Sequence, residues 1–238
     1  MELAIIGYGR MGHEIEKIAL QRGHSIGLII DEDNISDLNQ KNLARIDVAI
    51  EFSLPSTAFQ NISTCLNYNT PVVSGVTGWQ IDLKNIKELC ENNKTSFIHS
   101  TNYSIGVNLL FRLNAELAKQ MSKYSEYAVA IEETHHVKKL DAPSGTAISL
   151  AKGIINEHNR YSSWHKGNGV ETGSIPVESI REEDVPGTHI VKWNSDIDSI
   201  ILTHDSKNRK GFAFGAVVAA EFIAKRIGVF TMEDVMGF

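Results

Sequence analysis

The fold of this 238-residue chain is indicated by one stretch, Leu3-Ala4-Ile5-Ile6-Gly7-Tyr8-Gly9-Arg10-Met11-Gly12. A short apolar run passes directly into a turn with three glycines, and apolar residues then recur at helical spacing as far as Ala19. Strand, glycine turn and helix in this order are typical of the first part of a βαβ unit that binds a dinucleotide. The glycines let the backbone approach a pyrophosphate, whose charge is favoured at the helix N-terminus.

The next strand supports this interpretation. An apolar run over 26–30 ends in Asp31-Glu32-Asp33, which places an acid where it can accept hydrogen bonds from ribose hydroxyls. A lone G-x-G-x-x-G is a weak signal, but a strand before it, a helix after it and an acid at the expected distance favour dinucleotide binding over a chance match. We therefore predict cofactor contacts from Gly7, Tyr8, Gly9, Arg10, Met11, Gly12 and Asp31.

An alternation of strands and helices continues to about residue 100. Strands are predicted at 47–53, 70–74 and 95–99, with helices at 56–66 and 83–90. Near-continuous apolar strands between helices predict a parallel sheet covered on both faces. Ligands of such sheets bind beyond the carboxyl ends of the strands, so two strand-end loops are candidates to hold the nicotinamide ribose and ring, although the same residues suit ordinary turns. These loops are Gly75-Val76-Thr77-Gly78 and Ser100-Thr101-Asn102-Tyr103.

The pattern changes after a long amphipathic helix predicted at 105–124. A strand at 127–133 and a helix at 147–157 precede a polar segment, 159–172, whose composition suits a mobile loop. Three strands without intervening helices follow and predict a mixed sheet. They are expected at 173–181, 188–193 and 197–204.

The fold class that follows is α/β, with a Rossmann-like parallel-sheet domain and a second α+β domain that has a mixed sheet. A last helix, 212–227, is apolar on nearly all sides, so we expect it to return and pack on the first domain. The dinucleotide-binding domain is thus expected to comprise 1–104 and 209–238. The substrate-binding and oligomerisation domain would be 105–208.

Composition limits the partners of the chain. A formal net charge of -6 and the lack of a Lys and Arg run argue against nucleic acid as a partner. No apolar run reaches the roughly 18 residues that cross a bilayer, and no charged leader precedes the first strand, so we expect a cytoplasmic protein without a membrane partner. Cys65 and Cys90 lie in helix-like segments without a CxxC pairing, which argues against a disulfide framework or a structural zinc site.

The densest chemistry lies in Glu133-Thr134-His135-His136-Val137-Lys138-Lys139-Leu140-Asp141-Ala142-Pro143-Ser144-Gly145-Thr146-Ala147. Adjacent histidines on an extended segment point to opposite sides, whereas metal ligands must converge, so we predict no metal site. Pro, Ser, Gly and Thr at 143–146 fit a helix start that binds an anion. A His that titrates near neutral pH and a Lys that donates a proton would supply acid chemistry beside a bound carboxylate. For a single His or Lys, a solvated basic loop is the alternative.

This stretch resembles the signature of the dihydrodipicolinate reductase family. Three other segments resemble further motifs of that family in the same order, so the resemblance spans most of the chain. It implies reduction of a small cyclic dicarboxylate, 4-hydroxy-tetrahydrodipicolinate, to tetrahydrodipicolinate and water in lysine biosynthesis by way of diaminopimelate, with NADH or NADPH. It also implies a homotetramer formed through the sheets of the second domain. The three segments are Gly9-Arg10-Met11-Gly12, Gly75-Val76-Thr77-Gly78 and Asn102-Tyr103-Ser104-Ile105-Gly106-Val107-Asn108.

The resemblance also implies roles for single residues. His135 is similar to the family's general acid/base, and Lys139 to its proton donor. Contacts to the substrate carboxylate would come from His136, Gly145 and Thr146, with Ser144 beside them. Lys138 is expected to be a solvated neighbour. The family's cofactor positions fall on Gly7 to Met11, Asp31, Gly75 to Thr77 and Ser100 to Tyr103.

Two departures from the family pattern leave the reacting groups in place. The glycine turn is one residue shorter than the usual G-x-x-G-R-M-G, and Ser100-Thr101 stands where Ala or Pro usually precedes Asn-Phe-Ser. Members that accept NADPH readily can carry a basic residue just after the acid, whereas here Asp31 is followed by Glu32. Because two carboxylates repel a 2′-phosphate, NADH is the predicted preference and NADPH the alternative. Arg10 is the nearby cation that would offset this repulsion.

Two other functions remain to be weighed. Another two-domain nicotinamide-dependent enzyme, such as an amino-acid or semialdehyde dehydrogenase, would share the first domain but would need no His-His-x-x-Lys beside Ser-Gly-Thr. A regulatory protein that binds NAD(H) without turnover would need no set of acid, base and anion site. The sequence therefore favours the reductase.

Overall fold

A computed structural model describes residues 1–79, 82–208 and 210–238. The chain forms two compact units, one built from Met1–Ile105 with Lys210–Phe238 and the other from Gly106–Arg209. Arg209, where the second segment of the first domain was predicted to begin, lies outside the described residues. Among the described residues, no helix has both the length and the apolar character needed to span a membrane.

The first unit contains a six-stranded sheet in which all neighbouring strands are parallel. Its strands are β1 (Glu2–Ile6), β2 (Ser25–Ile30), β3 (Val48–Glu51), β4 (Val72–Ser74), β5 (Ser96–His99) and β11 (Gly228–Phe230), in the spatial order β11-β5-β4-β3-β1-β2. Its helices are α1 (Arg10–Gln21), α2 (Gln40–Leu43), α3 (Pro55–Asn67), α4 (Leu83–Asn92), α7 (Lys210–Ile223) and α8 (Met232–Met236), and a 3-10 helix spans Glu32–Asp37.

The parallel sheet has a hydrophobic core on each face, and alternate residues of β1 pack into one core or the other. Leu3 and Ile5 pack in a cluster with α1 and α7, whereas Ala4 and Ile6 pack in a second cluster with α3 and α4. Successive side chains of a strand point to opposite faces, so a strand buried on both faces must be apolar at every position. The structure confirms the predicted parallel sheet covered on both faces.

The apolar helix predicted at 212–227 corresponds to α7 and packs on this sheet, as expected. Ala213, Ala216 and Val217 of α7 are fully buried in the cluster that contains Leu3 and Ile5. The predicted end of the helix at 227 was wrong, since α7 stops at Ile223 and the following residues form β11 at the sheet edge beside β5. The sequence analysis missed that strand.

The second unit contains a five-stranded mixed sheet in the order β10-β9-β6-β8-β7. Strand β6 is parallel to β8, which is parallel to β7, whereas β9 is antiparallel to β6 and to β10. The predicted fold class is confirmed. The strands are β6 (Ala128–His136), β7 (Ser163–Lys166), β8 (Ser174–Glu182), β9 (Gly187–Asn194) and β10 (Ser199–Ser206), and the helices are α5 (Ile105–Met121) and α6 (Gly145–Glu157).

The two faces of the mixed sheet differ in burial. Val129, Val191 and Trp193 are buried in a core cluster with residues of α5 and α6. On the opposite face Ala130 and Ile201 are exposed. One face of the sheet thus supplies the core of this unit, and the other presents alanine and isoleucine side chains outward.

The predicted mobile loop over 159–172 was wrong for part of its length. Strand β7 lies within it and pairs with β8. His165 holds the segment after the strand, because its Nδ1 lies 2.9 Å from Ser174 Oγ and its Nε2 lies 2.9 Å from the Gly169 carbonyl oxygen. A polar composition hid this strand, since β7 is half-buried or exposed along its length.

Candidate active site

The predicted cofactor residues lie at one edge of the parallel sheet. Strands β1, β2, β4 and β5 end at the same edge, and the glycine turn, Asp31 and the loops after Ser74 and His99 follow those ends. The structure therefore brings together residues that are up to 96 positions apart in the sequence, from Gly7 to Tyr103. Strand order reverses at β1, which has β3 on one side and β2 on the other, and this is where such sheets bind ligands.

Gly7 and Gly75 leave room for the backbone and ring of Phe52. Gly7 has a φ of +89°, and a Cβ on it would stand 2.6 Å from the Phe52 carbonyl carbon. A Cβ on Gly75 would stand 2.2 Å from the Phe52 ring. These two glycines are thus required for packing between neighbouring strand-end loops.

Gly9 and Gly12 leave the N-terminus of α1 open. Gly9 is the N-cap residue and gives the helix no side-chain hydrogen bond. Apart from its chain neighbours, no residue in the described part of the chain comes within 4 Å of the place where its Cβ would be. A Cβ on Gly12 would stand 2.5 Å from the Gly7 carbonyl oxygen, so the turn and helix must approach closely. The open N-terminus, with its unpaired backbone N–H groups, fits the pyrophosphate of a dinucleotide.

Asp31 is exposed at the tip of β2. One of its carboxylate oxygens accepts the Glu32 backbone N–H at 3.1 Å, and its own N–H donates to Asn34 Oδ1 at 2.7 Å. Glu32 and Asp33 are exposed beside it. The side chain is therefore fixed by the following turn, within a group of three carboxylates.

The loop after β5 is fixed by its own polar groups. Ser100 Oγ donates to the Asn102 carbonyl at 2.8 Å and accepts the Asn102 N–H at 3.1 Å. Tyr103 is 2% exposed, and its hydroxyl donates to the Ser74 carbonyl at 2.8 Å. Thr101 is exposed, whereas Asn102 Oδ1 accepts the Ser104 N–H at 2.9 Å and the buried Tyr103 ring packs beneath the loop.

A buried carboxylate at the end of β3 was missed by the sequence analysis. Glu51 is fully buried, accepts the Ser53 N–H at 3.2 Å and the Ser74 hydroxyl at 3.1 Å, and also bonds the Ser53 hydroxyl. Burial raises the pKa of Glu51, and these hydrogen bonds only partly offset that effect. Glu51 ties the strand-end loops of β3 and β4 together.

In the second unit, a carboxylate joins β6 to the start of α6. Glu133 is fully buried, and its Oε1 accepts the Ser144 backbone N–H at 3.0 Å and Arg181 Nη2 at 3.2 Å. Ser144 is the N-cap residue of α6, where its Oγ accepts the Ala147 N–H at 3.2 Å. Burial alone would raise the pKa of Glu133, but contacts with His135 and Ser144 outweigh it and hold that pKa well below its usual range.

Two imidazoles lie against this carboxylate. His135 Nδ1 is 3.0 Å from Glu133 Oε2, and the His189 ring stands edge-on to the His135 ring at 5.1 Å. His189 Nε2 lies 3.2 Å from Ser144 Oγ. Burial, with the nearby His135, lowers the pKa of His189 to about 4. The cluster therefore holds one anionic carboxylate and one imidazole, His189, that is neutral at neutral pH, with the His135 ring in contact with both.

The remaining predicted residues lie on the turn between β6 and α6. Lys139 Nζ donates to both oxygens of Asp141, at 2.7 and 2.8 Å, and this contact lowers the pKa of Asp141. His136 and Thr146 are half-buried. Gly145 is exposed at the first position of α6, and no atom of a non-adjacent described residue lies within 4 Å of where its Cβ would be. The helix N-terminus is thus open to an anion, with Lys139 on the turn that precedes it.

The structure shows which side chains near His135 could converge on a metal ion. The neighbouring histidines diverge as predicted, since His135 is buried with Glu133 while His136 lies on the other face of the strand. However, ligand atoms of Glu133, His135 and His189 lie within 4.8 Å of one another, a group that could hold a cation. Glu133 already has the Arg181 guanidinium and a backbone N–H on Oε1, so a proton-transfer cluster explains the arrangement without a metal.

Sequence reasoning missed Glu133, Arg181 and His189 as site residues. The i,i+2 spacing of Glu133 and His135 on a strand places both on one face, and this signal was available. His189 pairs directly with Glu133 across β6 and β9, which required the strand register. Arg181 pairs with His135 across β6 and β8, and it required the same information.

Comparison with known proteins agrees with this architecture. Residues 1–103 match the family model described as dihydrodipicolinate reductase, N-terminus, and residues 106–236 match dihydrodipicolinate reductase, C-terminus. Two curated relatives are named 4-hydroxy-tetrahydrodipicolinate reductase. The one from Christiangramia forsetii is 48% identical over 237 residues, covering 99% of this chain and 98% of that protein. The one from Alkaliphilus oremlandii is 33% identical over 245 residues, with coverage of 99% and 98%.

Solved structures show the same fold. Dihydrodipicolinate reductase from Paenisporosarcina sp. TG-14, determined with dipicolinate bound, has a TM-score of 0.81 at 25% identity and covers 97% of each chain. An amine dehydrogenase from Mycobacterium smegmatis has a TM-score of 0.57 at 8% identity over 97% of this chain and 94% of that one, a likeness of fold alone. From the two family models and the full-length relatives, the chain belongs to the dihydrodipicolinate reductase family.

Proposed function

We propose that this protein is a 4-hydroxy-tetrahydrodipicolinate reductase. It reduces (2S,4S)-4-hydroxy-2,3,4,5-tetrahydrodipicolinate to (S)-2,3,4,5-tetrahydrodipicolinate, with release of water, at the expense of NAD(P)H in the diaminopimelate route to lysine. The observation that carries this proposal is the cluster of Glu133, His135 and Ser144 at the open N-terminus of α6, in a chain whose full-length relatives have that name. The two alternatives, another dehydrogenase and a non-catalytic sensor, have no comparable support.

The substrate is a small cyclic dicarboxylate, and the start of α6 suits one of its carboxylates. Backbone N–H groups at a helix N-terminus favour an anion, and Gly145 leaves that end uncovered. We assign Ser144, Gly145, Thr146 and His136 to this contact. The Paenisporosarcina relative was determined with dipicolinate bound, and this ligand, itself a cyclic dicarboxylate, supports the proposed class of substrate.

The chain's own residues would supply protons and geometry. When bound, the reduced nicotinamide supplies the hydride. Lys139 is the proposed proton donor, since its ammonium is held by Asp141 on the turn that leads to α6. His135 is the proposed general acid/base, because its ring is held by Glu133 through Nδ1, which leaves Nε2 as the nitrogen that does not face the carboxylate. Cations around a dicarboxylate also stabilise charge that develops during reduction.

Replacing the two proposed proton-transfer residues tests this function. His135→Gln and Lys139→Met should each lower turnover by about a hundredfold or more, because general acid and base groups contribute on that scale. Turnover is measured as loss of NADH absorbance with freshly made dihydrodipicolinate synthase product, and NADH affinity by fluorescence titration should change little.

Lys138→Met is the matched control, since Lys138 is exposed next to Lys139 and has no proposed role. It should retain wild-type turnover. Wild-type turnover in both the His135 and the Lys139 variants would remove the proposed mechanism. A protein that binds NADH but never oxidises it with this substrate would instead support the sensor.

The cofactor is a pyridine nucleotide, held at the edge of the parallel sheet by the glycine turn and strand-end loops. NADH is the proposed preference, because exposed Asp31, Glu32 and Asp33 would repel the 2′-phosphate of NADPH. The ratio of kcat/KM for the two cofactors measures it. A preference for NADPH of about tenfold or more would contradict the assignment and would indicate that Arg10 compensates for the acids.

We also propose a cytoplasmic homotetramer. Tetramers assembled through the second unit's sheet would cover the face on which Ala130 and Ile201 are exposed. A cytoplasmic location follows from the resemblance to a biosynthetic reductase that draws on reduced pyridine nucleotides.

A further inference from the structure

The two oxygens of the Glu133 carboxylate face different groups. Oε1 accepts the Ser144 N–H at 3.0 Å and Arg181 Nη2 at 3.2 Å. Oε2 lies 3.0 Å from His135 Nδ1, and neither of these two atoms has a better-aligned hydrogen-bond partner among the described residues. The Ser179 hydroxyl, which pairs with Glu133 across β6 and β8, is a further polar neighbour that helps to lower the pKa of Glu133. A fully buried carboxylate tolerates burial only with partners on both oxygens. His135 Nδ1 is therefore the natural partner of Oε2.

A second imidazole approaches the same oxygen but is a weaker competitor. His189 Nε2 is 4.0 Å from Glu133 Oε2, a full ångström farther than His135 Nδ1. Because burial lowers the pKa of His189 to about 4, its ring is neutral at neutral pH and adds no positive charge to the cluster. The carboxylate therefore acts mainly on His135.

We infer that Glu133 is a positioning residue that keeps the proton of neutral His135 on Nδ1 and leaves the lone pair on Nε2. A neutral imidazole carries one proton, and the nitrogen beside a carboxylate is the one that retains it. Nε2 then becomes the atom that exchanges a proton with a ligand. This inference rests on the proposed role of His135 in the reaction.

The surroundings of Nε2, on the other side of the His135 ring, are consistent with this role. A Cβ on Gly187 would stand 2.9 Å from His135 Nε2, and Gly187 has a φ of +155°. The glycine therefore removes a side chain from the position next to Nε2. Nδ1 faces the buried carboxylate, and Nε2 faces a place that the sequence keeps clear.

The substitution Glu133→Gln tests the inference, because the neighbouring hydrogen-bond donors determine how the glutamine amide is oriented. Two donors, Ser144 N–H and Arg181 Nη2, face the position of Oε1, so the amide oxygen of glutamine must take that position. The amide NH2 group then faces His135 Nδ1, which can only accept a hydrogen bond from it. The substitution keeps the shape of the side chain and moves the His135 proton to Nε2.

Two-bond proton–nitrogen NMR correlations of the imidazoles report the tautomer directly. Spectra are recorded at alkaline pH, where imidazoles are neutral, and the His135 signals are assigned from their loss in His135→Gln. We expect the Nδ1–H form in the wild type and the Nε2–H form in Glu133→Gln. An Nε2–H form in the wild-type protein would overturn the inference without any variant, so poor folding of Glu133→Gln leaves the test intact.

Kinetics provide a second readout. Glu133→Gln should lower kcat by about tenfold or more, as expected when an imidazole is held in the wrong tautomer, while the Kd of dipicolinate changes by less than about threefold. Glu132→Gln is the matched control, because Glu132 lies on the opposite face of β6, and it should leave both values unchanged. Loss of dipicolinate binding together with unchanged tautomer in Glu133→Gln would show a structural role only and would overturn the inference.

The tautomer result and the proposed function can fail separately. If the wild-type enzyme shows no turnover of the hydroxylated substrate, the proposed function fails even when His135 carries its proton on Nδ1. If the enzyme is active and His135 carries its proton on Nε2, the inference fails alone.

Discussion

His189, the neutral imidazole of the proton-transfer cluster, is expected to make the protein sensitive to acid. His189 is 5% exposed, and its pKa in the folded protein is lowered to about 4 from an ordinary value near 6.5. The unfolded chain therefore binds a proton at a higher pH than the folded one. The stabilising contribution of neutral His189 is complete above about pH 6.5 and is lost as the pH falls toward 4, up to about 3 kcal/mol.

His189→Gln should remove this acid sensitivity. The free energy of unfolding of the wild type is expected to fall between pH 6.5 and pH 4 by more than that of the variant, as measured by urea denaturation across this range. His13→Gln is the control, because His13 is exposed and lies outside the cluster. Parallel curves for wild type and His189→Gln would show that the burial of His189 has no such effect.

Glu133 produces a separate loss of stability at lower pH. Its folded-state pKa is held well below the ordinary value near 4.5, so its contribution is present above that value and is lost as the pH falls below it. The pH range in which Glu133 loses its contribution to stability lies directly below that of His189. The difference in the free energy of unfolding between the wild type and His189→Gln therefore isolates the contribution of His189.

The sequence identified site residues only where a short local motif indicates their chemistry. The glycine turn and the helix start at 143–146 follow from short-range motifs, and α1 and α6 begin directly after or within these segments. His189 and Arg181 lie 54 and 46 positions after His135 and reach the cluster only through strand pairing. No periodicity along the chain predicts such a register.

At the scale of elements, α7 approaches the loop after β5 closely enough to require a glycine. A Cβ on Gly215 would stand 1.7 Å from the Tyr103 carbonyl oxygen, a backbone atom that cannot move alone. Tyr103 ends the Ser100 to Tyr103 loop at the proposed nicotinamide edge. The helix therefore supports the geometry of that loop from the buried side.

Gly215→Ala should force α7 away from the sheet. We expect a loss of about 2–3 kcal/mol in the free energy of unfolding and a weaker affinity for NADH, measured by denaturation and fluorescence titration. Gly211→Ala is the matched control in the same helix, because its Cβ would meet Ser104 Oγ at an ordinary 3.5 Å. Alanine there should be neutral or mildly stabilising, and equal effects of the two substitutions would contradict the close-packing argument.

The elements that the sequence predicted well have strong periodicity. Helix α3 was expected at 56–66 and spans Pro55–Asn67, and the buried strands of the parallel sheet lie where apolar runs stand. Strand β7 was missed because its side chains are half-buried or exposed. Strand β11 was missed because Gly228-Val229-Phe230 is too short to show alternation, and sheet pairing with β5 defines it.

At the scale of the whole molecule, the exposed face of the mixed sheet is the proposed assembly surface. Ile201 on β10 is 52% exposed on this face, whereas the adjacent Ile200 points to the opposite face, where it pairs with buried Trp193. Exposed apolar sheet faces of this kind mark protein contacts. A homotetramer would have about four times the 26.3 kDa mass of the chain.

Ile201→Lys should dissociate the tetramer, because it places a charge within the proposed contact. Light scattering after size exclusion should give four chain masses for the wild type and two or one for the variant. Ile200→Lys changes the neighbouring residue on the other face and should keep the wild-type mass. A wild-type protein with the mass of a single chain would contradict the proposed assembly.

Helix α7 and strand β11 also determine the order in which the protein can fold during synthesis. They come from the last part of the sequence, yet they complete the sheet that begins with Glu2–Ile6. While the ribosome is still making residues 106–209, Leu3, Ile5 and their neighbours have no α7 to cover them. One apolar face of the nascent first unit therefore stays exposed until α7 has been synthesised, and in this state the unit is a substrate for chaperones. The second unit, in contrast, is encoded by one continuous segment.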